Sequence, residues 1–82
     1  MSDRQRTFLR LAEAELLRRL VEEGPPLTTG HFLSMIDLAH AYALIHVHDA
    51  QLPEHDCPVW GEAIARCWRA AQRGWLCGQA QG

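Results

Sequence analysis

The sequence predicts an all-α fold: a small three-helix antiparallel bundle with an apolar central helix, spanning residues 1–82 as a single domain. Three observations carry this. Apolar residues recur at helical spacing in three separate stretches, and no stretch alternates with a period of two as a half-buried strand would. Gly24-Pro25-Pro26 and Pro53 cut the chain between those stretches, because proline cannot continue a helical hydrogen-bond ladder. The middle stretch, TGHFLSMIDLAHAYALIHVHDA from Thr29, is apolar around its whole circumference, and a helix of that kind must be covered on all sides.

Helix 1 is expected over residues 3–23. Phe8, Leu9, Ala12, Leu16 and Leu20 share one side, Leu17 and Val21 widen it, and Arg10, Glu15, Arg18 and Glu22 occupy the remainder. Ser2 or Asp3 can accept from the first free amides, and Gly24 can end the helix in a positive-φ cap. Helix 2 is expected over residues 29–50. Thr28 is its cap, and Leu27 with Phe32 is placed to form a hydrophobic staple across it.

Helix 3 is expected over residues 58–77. Pro58 suits its first turn, with Asp56 or Cys57 as cap. Trp60, Ile64, Cys67, Ala71 and Trp75 form a tight apolar stripe with Trp68 beside it, while Glu62, Arg66, Arg69 and Arg73 take the opposite face. Gly74 or Gly78 should end this helix and leave a frayed tail.

An 82-residue chain with 48% apolar and 22% charged residues folds, yet buries only about 60–65% of its unfolded surface, so a second copy or a partner would add stability. A net charge of −2 gives no electrostatic case for nucleic acid or an anionic membrane. Asp37, His40 and His46 interrupt the apolar helix and argue against a membrane span. The polar start MSDRQRTF lacks a secretory pattern, and three cysteines do not pair into a disulfide framework; a cytoplasmic location is expected.

Several side-chain groups are candidates for chemistry. His48, His55 and Cys57 lie near the end of helix 2 and in the following loop, and with one outside ligand they could hold a metal. No paired CxxC or HxxxH spacing supports a zinc site, however, so no metal and no cofactor are expected. Ser34, Asp37 and His40 form an i, i+3, i+6 row, whose side chains stack along the axis instead of converging on a substrate atom, and no enzymatic role follows. Asp37 and His40 are expected instead to be a buried polar pair, hydrogen-bonded to each other or to a facing helix, with Asp37→Ala costing about 1–3 kcal/mol.

Arg66, Arg69 and Arg73 with Trp68 combine the residue types enriched at protein-binding hot spots, though tryptophan on such a stripe more commonly anchors a core. A helix-turn-helix would need a far shorter turn than the segment before Pro58, which disfavours nucleic acid as the partner of this arginine face. The chain is therefore expected to be a non-enzymatic interaction module that binds and modulates a larger protein. In size, helical pattern and lack of a catalytic motif it is similar to small helical adaptors, secretion chaperones and inhibitors such as anti-CRISPR proteins, a likeness of type that transfers no residue. The alternative is a metal-binding protein built on the His48, His55 and Cys57 region. Because two neighbours cannot cover helix 2 completely, a homodimer with Leu38, Tyr42 or Ile45 at the contact is also expected.

Overall fold

The computed structural model describes residues 2–54 and 56–81, with side chains as far as residue 77. Three helices follow one another: α1 Asp3–Glu23, α2 Thr29–His46 and α3 Pro58–Gln81. The Ser2 hydroxyl accepts from the Gln5 amide and the Thr28 hydroxyl from the His31 amide, so two of the orphan donors at these N-termini are satisfied as their residue types suggested. Gly24 closes α1 with φ 84°, the single positive φ among the described residues, and its amide bonds the Leu20 carbonyl.

Contacts along α1 fix the directions of its neighbours. Phe8 stacks on His40 and Arg4 pairs with Asp49, so α2 returns antiparallel to α1. Glu13 meets Arg66 and Leu20 meets Trp75, so α3 runs parallel to α1 and antiparallel to α2. The result is an up-down-up bundle.

The helix on which both others pack is α1, and this corrects the expectation that α2 would be central. Its buried residues Phe8, Leu9, Ala12, Glu15, Leu16 and Leu20 cover an arc of about 140° at 100° per residue, wide enough for two neighbours. No Cα of α2 approaches one of α3 within 8 Å. The space between them is bridged by aromatic side chains: Phe32 meets Trp68 edge-on at 5.3 Å between centroids, and His40 meets Trp60 at 5.1 Å. Only one side of α2, carrying Met35, Ile36, Ala39 and Ala43, is buried.

Three boundaries and contacts also depart from the sequence-based expectation. α2 ends at His46, short of residue 50, because the following chain is turned back onto the start of α1. There Asp49 is held by Arg4, and Gln5 clasps the Gln51 backbone twice, donating from Nε2 to its carbonyl at 2.6 Å and accepting from its amide at 3.0 Å. α3 runs on through Gly74 and Gly78 to Gln81. A glycine ends a helix only by turning to positive φ; here the turn after Gly74 is instead held by Trp75, whose Nε1 donates to the Leu20 carbonyl at 2.9 Å and whose ring packs on Trp68. The staple does not close, since Leu27 is 92% exposed and Phe32 turns to Trp68.

Candidate functional site

The face shared by α1 and α3 away from α2 is a groove of about 590 Å³. Its floor is apolar, formed by Ala14 and Leu17 of α1 with Cys67 and Ala70 of α3. Its rims are arginine: Arg10 on α1, and Arg66, Arg69 and Arg73 along α3. The spacing of the last three follows from the helix, because positions i, i+3 and i+7 fall on one face and place them over about 10 Å of axis.

Two states of arginine are present. Arg66 is committed, its Nε donating to Glu13 Oε1 at 2.9 Å, and that carboxylate raises the guanidinium pKa above its ordinary value. Arg10, Arg69 and Arg73 have no ion pair among the described residues. One rim carboxylate therefore faces four guanidinium groups, and the groove keeps uncompensated positive charge in a chain whose net charge is −2. Beneath the rim, the Cys67 thiol donates to the Glu13 carbonyl at 3.3 Å, and burial, with Glu13 nearby, pushes its pKa up to about 11. Such a thiol stays protonated at neutral pH and is not a nucleophile.

Arg66, Arg69 and Arg73, singled out from the sequence, are brought together here, but Trp68 is not part of the same surface. It is half-buried between Phe32 and Trp75 on the side of α3 that faces α2, and acts as packing. Sequence reasoning missed Arg10 and Glu13, whose i, i+3 spacing on α1 was the available signal.

The Asp37–His40 pair does not form. Asp37 is exposed, and His40 turns inward between Phe8 and Trp60, with its Nε2 enclosed and without a hydrogen-bond partner. Burial lowers the His40 pKa and Asp37 opposes that only in part. One turn of α2 rotates residues three apart by about 60° from each other, enough here to leave one in water and the other in the core. Glu15, expected on the solvated side, is the buried charge: it is 6% exposed. It accepts from Arg18 Nε and Nη2 at 2.8 and 2.7 Å and from Arg19 Nε at 2.9 Å, and the Arg18 hydrogen bonds hold its pKa below the usual carboxylate range.

Leu38, Tyr42 and Ile45 all lie on the outer side of α2, at 49%, 39% and 66% exposure. Of the metal candidates, His48 is exposed, Cys57 is half-buried and His55 lies outside the described residues. Among the described residues no three His, Cys, Asp or Glu side chains converge in a way that could hold a metal ion. Among the described residues no helix is long and apolar enough to cross a membrane, and all three cysteines are free thiols.

Comparison of the chain with protein-family models, with curated proteins and with solved structures finds no match.

Proposed function

We propose that the protein is a non-enzymatic interaction module that binds a larger protein partner through the arginine-rimmed groove between α1 and α3. It acts by occupying its partner's surface, as an adaptor, chaperone or inhibitor does, in a reducing cytoplasmic environment that suits three free thiols. The observation that carries this reading is the set Arg10, Arg69 and Arg73, guanidinium groups without ion-pair partners around an apolar floor. Arginine presents a planar fork that matches carboxylates, and its charge is wasted on a stable monomer unless a partner supplies acids. The floor gives the apolar contact that makes such an interface bind and not merely steer.

The test uses the whole chain. A photoreactive residue in place of Ala70, on the groove floor, should crosslink in the source cells to a protein with an acidic surface segment. Arg69→Glu with Arg73→Glu should then weaken that complex at least about tenfold in titration calorimetry while leaving the melting temperature within a degree or two, since neither side chain holds the fold. A complex indifferent to both reversals would remove the groove from the function.

A further inference from the structure

The outer side of α2 carries a second pattern. Ser34, Leu38, Ala41 and Ile45 follow one another at spacings of four, three and four, and all four are exposed. That is the spacing of a heptad seam, and it covers about 16 Å of helix axis. Residues are alternately small and large along it: serine, leucine, alanine, isoleucine. The seam holds no formal charge, and Asp37 on its flank is the only Asp, Glu, Lys or Arg in α2.

We propose that this seam pairs with the same seam of a second copy of the chain, with the two α2 helices antiparallel about a two-fold axis that passes between positions 39 and 40. The size order dictates the direction. Read backwards, the seam is large, small, large, small, so the antiparallel register sets Leu38 against Ala41 and Ile45 against Ser34 in each of its four layers. Every large side chain then fills the space left by a small one, the condition for native packing density. A parallel pairing would instead stack Leu38 on Leu38 and leave a gap at Ser34. Charge points to the same occupant. An acidic or basic partner finds no counter-charge on the seam, whereas a second copy brings no formal charge onto it, and the one polar group within the seam, the Ser34 hydroxyl, is already bonded to the Gly30 carbonyl at 3.1 Å.

A contact of this length sits at the low end of interface sizes, below about 1,200 Å² in total, so the dimer is a weak, micromolar one. Its geometry leaves the arginine groove alone. The groove is built from α1 and α3 and shares no residue with the seam, so each dimer presents two grooves.

The test has two parts, both on the full chain. Sedimentation equilibrium across loading concentrations from about 1 to about 300 µM should show mass rising from 9.3 kDa toward twice that value. Leu38→Glu with Ile45→Glu should abolish the rise and leave helicity unchanged, because both side chains face outward. For the register, Cys57→Ser and Cys77→Ser remove the accessible thiols. Mixing the Leu38→Cys and Ala41→Cys forms of that protein under mild oxidation should give mainly the mixed 38–41 disulfide. A mass fixed at 9.3 kDa across the range overturns the proposal and leaves the face to a heterologous partner. Predominant 38–38 and 41–41 disulfides overturn the antiparallel register.

Discussion

Among the described residues Glu15 is a buried charge and His40 a half-buried imidazole with its Nε2 enclosed, and the bundle treats the two oppositely. Glu15 carries a full charge at neutral pH and is held by guanidinium groups from its own helix, three and four residues on, whose far ends remain in water. His40 is neutral and is enclosed by rings from the other two helices, Phe8 at 5.9 Å and Trp60 at 5.1 Å, none of which offers its Nε2 a partner. A charge can be buried cheaply when its counter-ions arrive with the same turn of helix, because forming the helix already forms the pair. A polar atom enclosed by tertiary contacts has no such guarantee, and its desolvation is a standing cost of roughly 1–3 kcal/mol.

The largest effect should come from opening the ring enclosure itself. Phe8 is fully buried and stacks on His40, so Phe8→Ala should destabilise by about 3–5 kcal/mol, most of what an 82-residue domain possesses. A urea midpoint that moves only slightly would mean the junction of the three helices is already loose. Next, Glu15→Ala should cost about 1–2 kcal/mol, a figure reduced by the partial exposure of both arginines, and Glu15→Gln less. If His40 is a cost, His40→Leu should raise the urea midpoint by the equivalent of about 1 kcal/mol, opposite in sign to the effect at Glu15.

Acid separates the two groups further. The His40 pKa is lowered by folding, so the unfolded chain takes up its proton first; stability falls as pH drops below 6.5 toward the lower folded value, then levels. The Glu15 pKa is also lowered, and its stabilisation is complete above 4.5 and lost below that value. Stability measured against pH should therefore fall in two steps, and His40→Leu should erase only the upper one. The smallest effect belongs to Asp37. Being exposed and without a bonded partner, it should cost under about 0.5 kcal/mol as Asp37→Ala, against the 1–3 kcal/mol a buried pair would have required.

These two residues also mark where the sequence could be read and where it could not. Helix starts and the first stop were legible because their causes are local: the Ser2 and Thr28 hydroxyls, the Gly24 backbone and the Pro58 ring each act within a few residues. Glu15 was legible in principle, since Arg18 and Arg19 stand at i+3 and i+4, but its carboxylate suggested solvent. The centre of the bundle was not legible. An all-round apolar helix reports how much surface could be covered and nothing about what covers it, so α2 looked central while α1, with a narrower but better matched arc, took that place. Of the groove, the α3 arginines were visible as one helical face. Arg10 and Glu13 were not, because packing of α1 on α3 brings them to the same groove, Glu13 meeting Arg66 across 53 residues of chain.

At the far end of the bundle, the Leu20 carbonyl accepts from two donors: the Gly24 amide that caps α1, and the indole of Trp75 on α3. A single oxygen thus ends one helix and anchors another. Fraying of the last turn of α1 must release both donors, so the Gly24 amide and the Trp75 indole proton should exchange with solvent through one shared opening and show the same protection factor, although 51 positions of sequence separate them. Trp75→Phe, which keeps the ring and removes the donor, should speed exchange at Gly24 and leave that of the Gln51 amide, clasped by Gln5 at the opposite end, as it was. Hydrogen exchange would then resolve two latches in a molecule of three helices, each closing an end of α1 independently of the other.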